Sequence, residues 1–365
     1  MNILLVGGTF DENGGRPSKV VAEIFSGFCL GQLKSSGVPN IRVVNGGSLR
    51  TLTDLAYLEN ISVALWFANV SNEVEKSALQ HFKGTNRHCL LVTSKRCVEK
   101  QYGLPDLIQR MLELHANLCV QFTKPGSTYF GEILDPLGNS FGKTSNMPSL
   151  GVAIHRRVAF MLSLTRIQSV NSDSAPFLVP DIPDEADFFK YVRESAMTFA
   201  KLIPSPTEVK RFVGNASFRC TRGFPSFRKD GKIYVSRRNV DKECIAREEF
   251  VPVCLKDGTL YFEGANKPSV DAPVHCLLYN LFPNINYMIH GHVYATDPSS
   301  TLVALPCGAI EEVAEIFHQV GDVSTTEFIV NLKGHGFIAG AAKQEDLPGD
   351  IFVARITNLP ERQGW

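Results

Sequence analysis

The chain has 365 residues, 44% of them hydrophobic, and its 37 Lys and Arg residues balance its 37 Asp and Glu residues. This length favours about two domains with a core each, and the balanced charge gives no indication of a nucleic-acid or membrane-surface partner. The N-terminus lacks a signal-peptide pattern, and no apolar run approaches the ~18–20 residues that span a bilayer. We therefore expect a soluble, cytoplasmic protein with a small-molecule substrate.

Short β-branched runs alternate with helical stretches through the first part of the chain. We predict strands over 2–8, 41–47, 61–69, 89–94 and 117–123, and helices over 16–33, 73–82, 105–116 and 147–167. Strands that are apolar throughout and separated by helices are typical of a parallel sheet covered on both faces. The pattern predicts a doubly wound, Rossmann-like α/β domain over residues 1–168, with its ligand at the carboxyl ends of the strands.

A glycine-rich segment lies between the first predicted strand and the first predicted helix. Free backbone N–H groups and the helix dipole favour anions at such a position. Neither GxGxxG nor GxxxxGK[ST] fits the segment. Two interpretations stay open, a tight turn or a small anion or sugar site of unknown identity. The second would use Gly8, Gly14, Gly15 and Ser18, with the side chains of Asp11 and Arg16.

The segment over 169–187 is rich in Ser, Asp and Pro and predicts an interdomain linker. An amphipathic helix over 188–203 follows, and the second domain then continues to residue 365 as short strands, turns and helices. The nine cysteines form no CxxC pair. A cysteine-based zinc site is therefore disfavoured, and reduced thiols packed among apolar residues are expected.

Two histidines lie two residues apart in the β-prone stretch YMIHGHVY (287–294). Residues i and i+2 of a strand share a face, so His290 and His292 would project together. By itself, such a pair also fits two polar residues at a sheet edge. His335, framed by glycines in GHG, would add a third ligand. Three histidine ligands that leave a position open are typical of a catalytic metal site.

Five segments of the second half follow one another in the order and spacing of a known family. They are GNASFR (214–219), IYVSRRN (233–239), KPSVDAPVH (267–275), HGH (290–292) and GHG (334–336). The second domain resembles the class II aldolase/adducin family, which includes fuculose-phosphate aldolase, ribulose-phosphate 4-epimerase and methylthioribulose-phosphate dehydratase. The resemblance implies an α/β/α fold and a homo-oligomer such as a tetramer. It does not extend to the first domain.

The resemblance implies a divalent-metal-dependent lyase (aldolase) or epimerase. Its substrate would be a small sugar phosphate or related hydroxy-carbonyl compound, which reacts through a metal-stabilised enediolate. A dehydratase or decarboxylase on the same scaffold, or a non-catalytic adducin-like assembly module, stays open. An assembly module would be expected to lose the metal histidines, which are present here.

The resemblance also implies roles for individual residues. His290, His292 and His335 match the metal ligands, with zinc as the expected ion and Mn²⁺, Co²⁺ or Fe²⁺ as alternatives. Asp271 stands where the family has a catalytic glutamate that moves a proton to and from the enediolate. Aspartate is one methylene shorter, and ~1 Å of misplacement costs about 100-fold in rate. Either the backbone has moved here or the chemistry differs.

Other matched positions point to a substrate or phosphate site. The resemblance places Asn215 and Ser269 in contact with the substrate or its phosphate. Arg238 and Asn239 replace the family's threonine/glycine turn. Arginine suits bidentate binding of a phosphate or carboxylate. We therefore expect an anion site rebuilt around Arg237, Arg238 and Asn239, although a solvated strand end is the alternative for the arginines.

Overall fold

The structure is a computed structural model, and it describes residues 1–15, 18–33, 39–70, 72–97, 104–171, 182–203, 214–220 and 232–354. The chain divides into two compact units, Met1–Ser163 and Leu164–Gly364. The predicted boundary at residue 168 is too late, because the strand Gln168–Asn171 pairs within the sheet of the second unit. The same strand occupies the start of the predicted linker, whose residues 172–181 lie outside the described parts.

The first unit contains a seven-stranded sheet. Its strands are β1 (Asn2–Phe10), β2 (Asn40–Gly47), β3 (Val63–Trp66), β4 (Leu90–Cys97), β5 (Leu118–Thr123), β6 (Phe130–Leu134) and β7 (Ser140–Thr144). They lie in the order β2-β1-β3-β4-β5-β6-β7, and the first five are parallel. The antiparallel strands β6 and β7 extend this sheet at one edge. The parallel core has the flavodoxin-like doubly wound order, which confirms the predicted fold class.

Helices cover both faces of this sheet. They are α1 (Lys19–Leu33), α2 (Leu49–Ala56), α3 (Asn72–Thr85), α4 (Leu104–Glu113) and α5 (Met147–Ser163). Helices α1 and α5 bury one apolar face of the sheet, and α2, α3 and α4 bury the other. The sequence prediction missed α2, which has only eight residues and begins at the N-cap Ser48, whose side chain accepts from the Thr51 N–H.

Helices α1 and α5 touch through glycine. A Cβ atom on Gly27 would collide with the backbone carbonyl of Pro148, and one on Gly151 would collide with the carbonyl of Ile24. The two backbones therefore pack directly against each other, and these positions have no room for a methyl group.

We expect Gly151→Ala to lower the free energy of unfolding by about 1–3 kcal/mol, because the added methyl group forces the two helices apart. The matched control is Gly84→Ala in α3, where no described atom lies within 4 Å of the new Cβ. Alanine is the better helix former, so the control should gain up to about 1 kcal/mol. Urea denaturation followed by circular dichroism measures both, and equal loss in both variants would contradict the close packing.

The second unit contains an eight-stranded sheet. Its strands are β8 (Gln168–Asn171), β9 (Asn215–Cys220), β10 (Lys232–Ser236), β11 (Phe250–Lys256), β12 (Thr259–Phe262), β13 (Tyr287–Gly291), β15 (Glu327–Leu332) and β16 (Gly336–Ala341), while β14 (Tyr294–Ala295) and β17 (Phe352–Val353) form a separate pair. The order is β15-β16-β13-β9-β10-β11-β12-β8. Neighbours are antiparallel except β12 and β8.

Helices again cover both faces, as the resemblance implies. Helix α6 (Ala186–Leu202), predicted from the sequence, packs Phe188 and Phe189 against Phe218 and Phe250 on one face. Helices α7 (Ala272–Leu281) and α8 (Glu312–Val320) lie over the apolar residues of the other face. The unit is a three-layer α/β/α domain. In the described part of the chain, no helix is long and apolar enough to cross a membrane.

Candidate metal centre and active site

The three predicted ligand histidines come together at one end of β13. The strand ends at Gly291. His290 therefore lies inside the strand, and His292 lies just beyond its end, in a bend. The ring centroids of His290 and His335 lie 4.4 Å apart, and those of His292 lie 5.1 Å and 5.3 Å from the other two. One nitrogen from each ring lies within 4.8 Å of the others. The strand prediction was too long, but the three rings do converge.

Neighbouring groups set the orientation of two of these rings. The Nδ1 atom of His290 lies 2.7 Å from the carbonyl oxygen of Phe337 on β16. The Nδ1 atom of His335 lies 2.9 Å and 3.1 Å from the two carboxylate oxygens of Glu312 on α8. Carbonyl and carboxylate oxygens accept hydrogen bonds, so both Nδ1 atoms donate and each Nε2 can present a lone pair.

Each of these Nε2 atoms is buried and has no hydrogen-bond partner among the described residues. A buried polar atom without a partner costs about 1–3 kcal/mol, which binding of a cation offsets. Imidazole nitrogens whose other nitrogen donates to a carboxylate or carbonyl are the usual ligands of Zn²⁺ and related ions. The residues present therefore fit a divalent metal ion held by His290, His292 and His335.

Close backbone packing fixes the positions of the ligands. Gly336 begins β16 with a φ of 109°, and a Cβ there would collide with the carbonyl of Gly291. Gly291 itself faces the rings of Phe199 and Phe337. Only glycine fits these two positions, so the segments that carry His292 and His335 lie directly against each other.

Burial and neighbouring charges affect the two oriented histidines differently. Burial, together with repulsion from His335, lowers the pKa of His290 to about 3, so this ring is neutral and available as a ligand. Burial also lowers the pKa of His335, but the attraction of Cys307 and Glu312 outweighs it and raises the pKa well above its usual value. Glu312 thus favours the protonated form of His335, and binding of an ion there releases the Nε2 proton, because a ligating imidazole is neutral.

Asp271 lies at the start of α7, beside the histidines. Its Oδ2 accepts a hydrogen bond of 2.7 Å from Asn215 Nδ2, and its Oδ1 accepts one of 2.7 Å from the Gly308 N–H. Oδ1 also lies 3.8 Å from His335 Nε2. Burial raises the pKa of Asp271, but the attraction of His335 and other histidines outweighs it and lowers the pKa. An ionised carboxylate therefore borders the metal-facing nitrogens.

The predicted anion-site residues separate into two groups. Ser269 lies next to Asp271, with its Oγ 3.5 Å from Asp271 Oδ2. Arg237 instead forms a two-pronged ion pair with Glu249, so its guanidinium is not available for an anion in this conformation. This placement removes the support for Arg237 as an anion-binding residue.

The next two predicted residues follow β10. Arg238 and Asn239 are both exposed, and Asn239 has a left-handed φ of 58°. Although its side chain reaches solvent, partial burial lowers the pKa of Arg238, and the attraction of Asp271 opposes that shift. The charge of Arg238 therefore acts on the carboxylate of the site.

Lys242 is a second cation near Asp271, and sequence analysis missed it. It lies in the short 3-10 turn Lys242–Cys244, is only 8% exposed, and donates to the carbonyl of Val240. Burial lowers its pKa to about 8, while Asp241 and Asp271 oppose the shift. A lysine in a polar turn usually looks solvated, so nothing local in the sequence distinguishes it.

Two further residues of the site were not assigned from the sequence. Glu312 and Cys307 both come from the segment PCGAIEEVAEIF (306–317). Cys307 is exposed, and its Sγ lies 3.9 Å from His292 Nε2. His275, by contrast, is buried below the site, where its Nδ1 lies 2.6 Å from Ser217 Oγ. The acidic segment resembles an ordinary helix start, so only the folded chain reveals Glu312 as a partner of His335.

The glycine-rich loop of the first unit is explained by packing. Gly8 and Gly14 have φ values of 81° and 75°. A Cβ on Gly8 would lie 2.6 Å from the backbone nitrogen of Gly46, and one on Gly15 would collide with Thr9. These contacts support the tight-turn interpretation. Ser18 immediately precedes α1, residue 16 lies outside the described parts, and the anion site stays a prediction.

Residues 196–343 match the sequence model of the family described as class II aldolase and adducin N-terminal domain. The second unit is a class II aldolase and adducin domain. The chain is also 29% identical, over 104 residues, to methylthioribulose-1-phosphate dehydratase of Picosynechococcus sp.. That similarity covers 28% of this chain and 49% of the dehydratase, so the chain spans about half the length of this relative.

Part of the chain resembles solved structures. One of them is the DNA/pantothenate metabolism flavoprotein from Streptococcus pneumoniae, which is 14% identical. The likeness covers 44% of this chain and 98% of the flavoprotein, with a TM-score of 0.34. At that score it carries no conclusion about function.

We expect Glu312→Ala to weaken metal binding by about 10- to 100-fold, because His335 loses the carboxylate that fixes its ring. Competition with a coloured chelator measures the affinity for zinc. The control is the neighbouring Glu311→Ala, whose carboxylate accepts instead from the Thr165 N–H. Equal zinc affinity in Glu312→Ala and the wild-type protein would show that the contact does not support the site.

Proposed function

We propose that the protein is a metal-dependent lyase that acts on a small phosphorylated hydroxy-carbonyl compound. One observation carries the proposal, namely that the buried Nε2 atoms of His290 and His335 lie beside an ionised Asp271 and accept no hydrogen bond from any described residue. Membership of the second unit in the class II aldolase and adducin family supports it. A purely structural module has no need for three converging imidazoles and a carboxylate.

The metal ion would be held by His290, His292 and His335. When bound, a divalent ion supplies Lewis-acid stabilisation of negative charge on a substrate oxygen. The Phe337 carbonyl and the Glu312 carboxylate orient two of the imidazoles through their Nδ1 atoms. These contacts hold the ligands in place before the substrate arrives, which reduces the reorganisation needed during the reaction.

Asp271 is the group we assign to proton transfer. Its hydrogen bonds from Asn215 and the Gly308 N–H hold both carboxylate oxygens in place. These donors and the nearby histidines favour the ionised form, which can accept a proton from a substrate C–H or O–H group. The proton then leaves with the product or is returned to a carbon atom.

Arg238 and Lys242 are the cations we assign to the substrate phosphate. Burial lowers the pKa of both cations and the charge of Asp271 opposes that shift, which supports assigning them to the same site. Arginine offers a planar fork that matches phosphate oxygens, whereas lysine acts as a point charge. Lys242 takes the place that the sequence prediction gave to Arg237.

Two lyase reactions use these steps. In aldol cleavage, Asp271 would accept a hydroxyl proton as the adjacent carbon–carbon bond breaks. In dehydration, it would accept a proton from the carbon next to the carbonyl group and then give that proton to the hydroxyl group on the following carbon, which leaves as water. The similarity to methylthioribulose-1-phosphate dehydratase favours dehydration. The aldolase or epimerase reaction expected from the sequence stays the alternative.

The test is turnover of a substrate panel by zinc-, cobalt- and manganese-loaded protein. The panel contains methylthioribulose 1-phosphate, fuculose phosphate and ribulose phosphate, and mass spectrometry distinguishes loss of water from carbon–carbon cleavage. We expect Asp271→Asn to retain the metal and lose about 10²–10⁴-fold in kcat. The control Asp346→Asn changes an exposed aspartate. Full activity in Asp271→Asn, or no reaction and no bound metal in the wild-type protein, would contradict the proposal.

The two adjacent arginines provide a second test. We expect Arg238→Ala to raise KM for a phosphorylated substrate by about 10- to 100-fold, since a hydrogen bond to a charged group is worth about 1.5–3 kcal/mol. Arg237→Ala should leave KM unchanged and lower thermal stability, because Glu249 loses its partner. The opposite pattern would return the anion site to Arg237.

A further inference from the structure

Cys307 lies on the open side of the histidine cluster. Its Sγ is 3.9 Å from His292 Nε2, and Cys307, Asp271 and His335 each offer an atom within 4.8 Å of the others. A tetrahedral ion with bonds of about 2.3 Å to sulfur and 2.0 Å to nitrogen separates those two atoms by about 3.5 Å. The observed distance is close to that value.

The turn that carries Cys307 is held in place. The N–H of the next residue, Gly308, donates to Asp271 Oδ1 at 2.7 Å, and the Ala309 N–H donates to the Pro306 carbonyl at 3.2 Å. Gly308 has a φ of 78°, which suits glycine. The thiol is therefore held beside His292 and His335 by an anchored backbone.

A second observation, the state of two histidine nitrogens, indicates that the cluster binds a cation. The Nε2 atoms of His290 and His335 are buried without hydrogen-bond partners among the described residues, and both side chains are 2% exposed. A cation bound to them needs further donor atoms, and the exposed Cys307 lies beside His292 and His335.

We propose that the Cys307 thiolate is the fourth ligand of the ion, so that the site is a His₃Cys centre. This inference rests on the metal site proposed above and adds a ligand to it. On binding, the thiol releases its proton to solvent as the sulfur–metal bond forms, because a coordinating thiol is deprotonated by the ion. No oxidant or reductant takes part.

Asp271 is the competing fourth ligand. Its Oδ1 lies 3.8 Å from His335 Nε2, but that oxygen already accepts from the Gly308 N–H, and Oδ2 accepts from Asn215. Cys307 has the softer donor atom and leaves Asp271 available for proton transfer. Zinc sites expand to five ligands in the course of reactions, so a thiolate does not exclude the substrate.

A thiolate ligand has a consequence for metal choice. Soft sulfur donors select zinc and cobalt over manganese and magnesium, which prefer oxygen. The centre would therefore bind zinc in preference to the harder ions that a three-histidine site with oxygen ligands admits.

The test uses the full chain loaded with Co²⁺, which gives an intense near-ultraviolet charge-transfer band only when a thiolate is bound to it. We expect one bound cobalt and this band in the wild-type protein. The band should be lost in Cys307→Ser and retained in the matched control Cys244→Ser, which changes another exposed cysteine. A band that persists in Cys307→Ser would overturn the assignment.

Other results separate this inference from the proposed function. Stoichiometric cobalt without the band overturns the cysteine ligand and leaves the metal enzyme intact. A wild-type protein that binds no cobalt overturns both. If Cys307→Ser fails to fold, alkylation of the wild-type protein decides instead. Zinc should protect Cys307 from iodoacetamide and leave Cys244 reactive, and equal labelling of Cys307 with and without bound zinc overturns the proposal.

Discussion

The second unit depends on the placement of two buried imidazole nitrogens, which have no hydrogen-bond partner in the part of the chain that the structure describes. His290 receives its orientation from the strand pairing of β13 with β16, and His335 receives its orientation from a carboxylate on α8. Burying such nitrogens is unfavourable unless a cation binds them. The sheet register and the position of α8 therefore hold a site that is favourable only together with a bound ion.

Asp271 connects several elements of the proposed site. It begins α7 directly and accepts from the backbone of the turn that carries Cys307, so helix and turn are joined at one carboxylate. Arg238 and Lys242 act on the same charge from the loop after β10. The carboxylate thus lies at the junction of the metal ligands, the thiol-bearing turn and the basic loop.

Much of the fold follows from local sequence pattern, and much of the site does not. The parallel strands β1 and β3 are buried, largely apolar runs, which made them predictable, whereas β7 is partly exposed and was missed. The HxH spacing and the glycine-framed His335 place the proposed metal ligands in short segments that the sequence reveals. Glu312 and Lys242 gain their roles from partners far along the chain, so no local spacing identifies them.

The glycine contact between β16 and the end of β13 distinguishes substitutions that would move the histidines from substitutions in the loops, which would not. Where Gly336 lies on Gly291, the two backbones are in direct contact with no side chain between them. Substitution of a neighbouring core residue therefore does not change the distance between the segments that carry His292 and His335. The turns that carry Arg238 and Cys307 lie outside this contact. Substitutions in these loops can therefore change the substrate that such a domain binds. The spacing of the three histidines would stay the same.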